Sequence, residues 1–338
     1  MRLGLVGYGA GGRIFHAPYI CAVPEIELVG VVTRNADRRT EVARDLPGTP
    51  VFDSLSDLID AGVDAVTLTT PPQTRRELVL EAVARGVHVV ADKPFAPDAA
   101  GGRELAQAAS KAGVLLSVFH NRRFDADFAT VSGILGELGE LWRVESRYDL
   151  DEPGGLDAGP TGGLLRDLGA HLVDQMLVLL GPVSAVSAHL DWIDLEDGRT
   201  DVGFSVSMLH SNGVFSTVTA SKLNRIATRQ WRLYGSRGSY VSDGTDAQTE
   251  QILAGRRPAD DLAGWGYERP DRLGVLRTDA GTVTVPSAQG RADEFYRRFA
   301  AAVDHDGPQP VPATDGIAVL EVLDAARRSD TEGTTIHL

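Results

Sequence analysis

Leu3-Gly4-Leu5-Val6-Gly7-Tyr8-Gly9-Ala10-Gly11-Gly12 opens the chain and decides its fold. Leu3 to Val6 is a short apolar run that reads as a strand, and Gly11 to Ala22 can form a helix. Between them, Gly7, Gly9 and Gly12 fit the spacing G-x-G-x-x-G. In a strand-turn-helix setting each glycine has its own task. One makes the tight turn, one lets the backbone approach a pyrophosphate, and one lets helix and strand pack closely. The helix start then offers unpaired N–H groups to the phosphates. The same glycines could form a turn that binds nothing; the strand before them and the helix after them favour the dinucleotide.

Outward from this stretch, strands alternate with helices. Ile26 to Thr33, Asp64 to Thr69, Val87 to Ala91 and Val114 to Val118 read as strands. Helical segments fall at Asp37 to Arg44, Leu55 to Ala61, Arg75 to Arg85 and Asp98 to Ala112. This alternation predicts βαβ units and a doubly wound parallel sheet. Past about residue 120 the pattern changes. After a helix at Phe124 to Leu135, most segments are strands without crossover helices: Trp142 to Asp149, Val183 to Leu190, Val202 to Met208, Val214 to Ser221, Gln230 to Tyr234 and Ser239 to Val241. A long helix at Leu164 to Leu180 interrupts them, a loop is expected at about Ala254 to Arg269, and two helices close the chain. The expected fold is therefore α/β, in two domains. Residues 1–120 form a parallel dinucleotide-binding domain. Residues 121–338 form an α+β domain on a large, mostly antiparallel open sheet.

At 338 residues the chain suits two domains. Its net charge of −14 argues against generic nucleic-acid or anionic-membrane partners, which need a basic surface. Cys21 is the only cysteine, so an intrachain disulfide and cysteine zinc sites are excluded. The first apolar run is too short for a secretion signal, and a cytoplasmic enzyme is expected.

Three further motifs carry chemistry. The second strand ends Val31-Val32-Thr33-Arg34-Asn35, with no acidic residue at the tip to hold ribose hydroxyls. Arg34, with Arg38 and Arg39 on the next helix, suits a 2′-phosphate instead, although arginines there also make an ordinary solvated helix face. Thr69-Thr70-Pro71-Pro72 and Asp92-Lys93-Pro94 follow strand ends, on the edge where open α/β sheets bind ligands. A lysine there is otherwise a surface charge. Asp167 and His171 are four apart and share a helix face. A carboxylate can orient an imidazole and raise its basicity. Taken alone, the pair also reads as an ordinary helix ion pair or a satisfied core histidine. A metal site is weaker, since two ligands lack partners.

Together, the opening GLVGYGAGGRIFHAPYI, then TTPP, DKP, LLSVFHNRRFDADF, GGLLRDLGAHLVDQ and LYGSRGSYVSDGTDAQTEQILAGRRP resemble the Gfo/Idh/MocA oxidoreductase family, over essentially the whole chain. The later segments look most similar to its NADP-linked scyllo-inositol dehydrogenase branch. The resemblance implies an N-terminal Rossmann domain and a C-terminal domain that often mediates dimers or tetramers. It places the catalytic lysine at Lys93 and the helix pair at Asp167 and His171. Two positions depart from the family pattern. Asp92 stands where a glutamate is usual, and Arg75 where many relatives carry a histidine.

The expected cofactor contacts are Gly7, Tyr8, Gly9, Gly11, Gly12, Arg13, Ile14, Thr33, Arg34, Arg38, Thr70, Pro71, Asp92 and Lys93. His120, Asn121, Arg122 and Tyr148 join Asp167 and His171 as expected substrate contacts. Asn and Arg side chains can bond hydroxyls, and aromatic rings such as Tyr148 could supply flat walls for a sugar-like ring, or simply pack. The expected function is hydride transfer between NADP(H), or NAD(H), and a CH–OH or C=O carbon of a cyclic polyol or sugar, by a homodimer or homotetramer. Two alternatives stay open: a reductase of non-sugar carbonyls or dihydrodiols, and a dinucleotide sensor without turnover.

Overall fold

The computed structural model describes residues 1–155, 162–196 and 198–338. The chain forms two compact units. The first comprises Met1–Asn121 together with Thr249–Trp265 and Arg291–Ile317. Its six strands are β1 (Arg2–Val6), β2 (Glu27–Val32), β3 (Val51–Phe52), β4 (Ala65–Leu68), β5 (His88–Asp92) and β6 (Leu116–Phe119). They form one sheet in the order β3-β2-β1-β4-β5-β6, and every neighbouring pair is parallel. β4 shows why: all four of its residues are buried, as a strand covered on both faces must be. The strand order reverses beside β1, so the segments that leave β1, β4 and β5 emerge together at the switch point.

The helices between these strands start where the sequence provides caps. Asn35 accepts a hydrogen bond from Arg38 N–H, Ser54 from Asp57 N–H, and Asp98 from Gly101 N–H. The late segment Arg291–Ile317 closes the core of this unit. Phe295 and Tyr296 stack against Phe119, with ring centroids 4.9 and 5.6 Å apart.

The second unit comprises Arg122–Gln248, Gly266–Gly290 and Ala318–Leu338. Its strands are β7 (Leu141–Asp151), β8 (Val183–Leu195), β9 (Gly198–His210), β10 (Phe215–Ser221), β11 (Leu223–Gly235), β12 (Gly238–Asp243), β13 (Val275–Thr278), β14 (Gly281–Thr284) and β15 (Ile336–His337). They form a nine-stranded sheet in the order β14-β13-β12-β11-β7-β10-β9-β8-β15. Its pairs are antiparallel except β7 with β10, which are parallel. This is the large, mostly antiparallel sheet expected from the strand run.

Several boundaries differ from the sequence reading. The helix expected from Phe124 runs Ala126–Leu138, behind a single 3-10 turn at Asn121–Phe124. The helix expected from Leu164 begins with a π-helical turn at Leu165–Gly169 and continues as Ala170–Leu180. The β13–β14 hairpin and a short helix at Ala247–Leu253 stand where no element was expected. Among the described residues no helix is long and apolar enough to cross a membrane.

Candidate active site

Within the first unit the glycine turn has the shape its spacing predicts. Gly7 has φ +101°, a conformation that disfavours any side chain. A Cβ on Gly12 would lie 2.3 Å from the Gly7 carbonyl oxygen, so only glycine lets helix and turn close up. A Cβ on Gly9 would meet nothing within 4 Å. The backbone at Gly9 is therefore left bare, as close approach by a pyrophosphate requires, and the residues present fit a dinucleotide.

The flanking residues divide into committed and available groups. Tyr8 is buried, with its hydroxyl 3.5 Å from Asp45, and burial first, then Asp45, pushes its phenol up. Arg13 bonds Asp45 at 2.6 Å and faces Glu41 at 3.4 Å. Arg38 pairs with Glu41 at 2.7 Å, and Arg39 with Asp53. Asn35 is spent as a helix cap, and Thr33 is buried with its N–H bonded to Phe52. Arg34 is exposed and has no ion-pair partner among the described residues. It is the guanidinium at this strand tip still available to an anion.

The segments after β4 and β5 are tied to each other by a residue that sequence reasoning assigned no role. Arg75 is buried, and its guanidinium donates to the backbone carbonyls of Pro94, at 2.5 Å, and Thr70, at 2.7 Å. It thereby fastens the Thr70-Pro71 segment to the Lys93-Pro94 segment, whose peptide bond is cis. Burial lowers the Arg75 pKa, opposed by the charge of Asp92. Asp92 accepts a hydrogen bond from Lys93 N–H at 2.8 Å and faces His16 Nε2 at 3.7 Å. Burial pushes the Asp92 carboxyl up, but His16, then Arg75 and Lys93, outweigh it and hold it at about 2. Behind Asp92, His16 stacks on Phe119 with ring centroids 3.9 Å apart. His16 Nδ1 lies 2.5 Å from the Tyr296 hydroxyl, which lies 3.4 Å from Thr67 Oγ1.

In the second unit the Asp167–His171 helix is positioned from its start. Asp201, itself held by Arg327 at 3.1 Å, accepts a hydrogen bond from Leu165 N–H at 2.6 Å. A Cβ on Gly163 would strike that carboxylate at 2.0 Å, and Gly163 has φ +96°. Gly163 therefore lets a carboxylate cap the helix. Further along, Asp174 receives Arg123 through two hydrogen bonds of 2.6 and 2.9 Å, and Gln175 donates to the Arg122 carbonyl at 3.0 Å. These bonds tie the helix to Arg122 and Arg123, and His171 on the same helix is buried. Asp167 is 44 % exposed, and its carboxylate lies 3.0 Å from the ammonium of Lys222, which the sequence reading passed over.

The expected substrate residues fall in both units. His120 is buried, and Asn121 opens the 3-10 turn. Arg122 and Tyr148 lie inside a buried cluster of two arginines and three aspartates. Arg122 pairs with Asp125 at 3.0 Å and Asp246 at 2.8 Å; Arg229 pairs with Asp125 at 2.5 Å and Asp127 at 2.8 Å. Both guanidiniums lie over the Tyr148 ring, 5.0 and 5.1 Å from its centroid.

Two family models match the chain. Residues 1–120 match the oxidoreductase family with an NAD-binding Rossmann fold, and residues 135–241 match the GFO/IDH/MocA C-terminal domain. The chain is 32% identical to scyllo-inositol 2-dehydrogenase (NADP(+)) IolW of Bacillus subtilis (strain 168), over 100% of this chain and 96% of the relative. It is 27% identical to inositol 2-dehydrogenase of Rhizobium meliloti (strain 1021), over 100% and 99%. The solved structure of yvaA from Bacillus subtilis superposes with a TM-score of 0.90 at 30% identity, covering 100% of both chains. The turn at Gly7–Gly12, the two-sheet architecture and these full-length matches have one reading: the chain belongs to the Gfo/Idh/MocA family of oxidoreductases and carries an NAD-binding Rossmann domain.

Proposed function

We propose that this oxidoreductase prefers NADP(H) and acts on a CH–OH or C=O carbon of a cyclic polyol or sugar-like substrate, as an inositol-type dehydrogenase. The observation that carries the cofactor choice is Arg34. It stands exposed at the end of β2, while Arg13, Arg38 and Arg39 are each neutralised by carboxylates. A guanidinium without a protein partner suits a 2′-phosphate. The relative named as NADP-dependent supports the same choice.

When bound, the nicotinamide supplies the hydride chemistry. The chain's residues bind, orient and manage the proton. The Gly7–Gly12 turn would hold the pyrophosphate, and the Thr70-Pro71 and Asp92-Lys93 segments the nicotinamide half. His171 takes the hydroxyl proton during oxidation and returns it during reduction, with Asp167 supporting the imidazolium. The Lys93 ammonium stabilises negative charge that develops on the same substrate oxygen. His120, Asn121, Arg122 and Tyr148 are assigned as substrate contacts, the last two held in place by the ion cluster.

We further assign a cytoplasmic homodimer or homotetramer, formed through the second unit. On its sheet the paired residues Phe215 and Leu209 lie side by side and exposed, an apolar contact that a second copy could cover. The functional test is a screen of inositol isomers, aldoses and ketoses with NADP⁺ and NAD⁺. Formation of NADPH with a cyclic polyol is expected. Turnover confined to non-sugar carbonyls, or none with any substrate, would overturn the assignment.

A further inference from the structure

Of the 33 basic residues in this chain only three are lysines: Lys93, Lys111 and Lys222. Arginine supplies most of the surface positive charges, as in the pairs Arg76–Glu104, Arg85–Asp60 and Arg328–Glu332. Lys111 is exposed on the helix Ala99–Ala112. Lys93 belongs to the cofactor edge described above. Lys222 follows no motif, yet it is only 8% exposed and lies against Asp167.

Its place is fixed from both sides. The Lys222 N–H donates to the Val202 carbonyl at 3.0 Å, and its carbonyl accepts from Glu152 N–H at 2.9 Å. The ammonium donates to the Gly155 carbonyl at 2.7 Å and lies 3.0 Å from Asp167 Oδ2. A Cβ on Gly155 would lie 3.4 Å from this nitrogen, so the glycine backbone is in close contact with it. A compact ammonium with donors in several directions can serve a carbonyl and a carboxylate at one point, which a planar guanidinium fork does less readily. Such a half-buried ion pair adds little net stability, because solvent screens the exposed carboxylate and desolvation of the lysine cancels much of the attraction. Stability alone therefore does not account for a buried lysine in an arginine-rich chain.

We propose that Lys222 is a positioning residue of the acid–base site: it holds the Asp167 carboxylate and the Pro153–Gly155 turn in one arrangement. The inference rests on the reading of Asp167 and His171 as the acid–base pair. Pairing with Lys222 limits the rotamers open to a carboxylate that is 44 % exposed. The ammonium also tempers the support that this carboxylate can give an imidazolium.

The scarcity of lysine makes the test clean. In the intact wild-type protein, competitive amine labelling read by mass spectrometry should modify Lys222 more slowly than Lys111. In Asp167→Asn, Lys222 should become faster relative to Lys111. Equal labelling of Lys222 and Lys111 in the wild type, or no change in Asp167→Asn, would overturn the pairing. In kinetics with a turned-over polyol, Lys222→Met should lower kcat at least about tenfold, within the range for impaired acid–base catalysis. The dinucleotide Kd, read by fluorescence titration, should stay unchanged, and Lys222→Arg should recover part of the loss. If Lys222→Met fails to fold, Lys222→Arg against wild type carries the comparison, with a kcat between wild type and His171→Ala expected. Wild-type kcat in either folded variant, while His171→Ala is impaired, would overturn the role of Lys222 and leave the acid–base reading intact. Wild-type kcat in His171→Ala would instead overturn the acid–base reading itself.

Discussion

His16 Nε2 lies 3.7 Å from Asp92 Oδ2, and the other nitrogen of the same ring lies 2.5 Å from the Tyr296 hydroxyl. A residue of the opening helical turn is thus held between the end of β5 and a segment 280 residues away in sequence. This contact, with Arg75 and Lys93, keeps the Asp92 carboxyl at about 2. A carboxyl held below its unfolded value of about 3.9 adds stability above that value and loses it as pH falls toward the folded one. Between about pH 5 and pH 2 the wild type should therefore lose about 2 kcal/mol more than Asp92→Asn, following the linkage relation. Urea unfolding of both proteins across that window checks it. Parallel pH profiles would show that Asp92 is not held by its neighbours.

Arg75 fastens two backbone segments rather than meeting solvent. Arg75→Met would leave the carbonyls of Thr70 and Pro94 unsatisfied, at about 1–3 kcal/mol for a buried polar group. Thermal unfolding should register that loss, and kcat should fall because Lys93 follows the same loop. A variant with wild-type stability and wild-type kcat would mean that the clamp is dispensable.

Arg34 offers a direct readout of cofactor choice. Arg34→Ala should weaken NADP(H) binding by about 1–3 kcal/mol, the range for losing a charge-assisted hydrogen bond. NAD(H) affinity should change little. Calorimetric titrations giving equal losses for both dinucleotides would show that Arg34 does not read the 2′-phosphate.

Assembly can be tested through the exposed cross-strand pair. Light scattering at micromolar concentration should show a dimer or tetramer, and Phe215→Glu with Leu209→Glu should shift it toward monomer. A monomeric wild type would contradict the assignment.

Much of this fold could be read from the sequence because its signals are local. The glycine turn needs its φ values and close approaches within a few residues, and the alternation of strands and helices needs only neighbouring periodicity. The residues that escaped notice are defined by distant partners. Tyr296 matters through His16, Arg75 through the carbonyl of Pro94, and Lys222 through Asp167. No spacing rule links such positions. Lysine scarcity was the one sequence signal that could have singled out Lys222. Nor does local grammar show the buried ion cluster that holds Arg122 and Tyr148, whose polar chemistry suggests hydroxyl contacts and a ring wall. The β13–β14 hairpin was missed because its outer strand is exposed throughout and lacks the alternation of a half-buried strand.

We propose that His171 carries the proton and Lys93 the developing charge in a hydride transfer. The most direct test is steady-state kinetics of His171→Ala and Lys93→Ala, with dinucleotide titrations on the same folded proteins. General acid–base help is worth about 10²–10⁴-fold, so each kcat should fall at least about 10²-fold. Dinucleotide binding should be unchanged in His171→Ala and weakened but not lost in Lys93→Ala, because the phosphates are assigned to the Gly7–Gly12 turn. Turnover by His171→Ala at close to the wild-type rate would contradict the account and reduce the Asp167–His171 helix to a structural role.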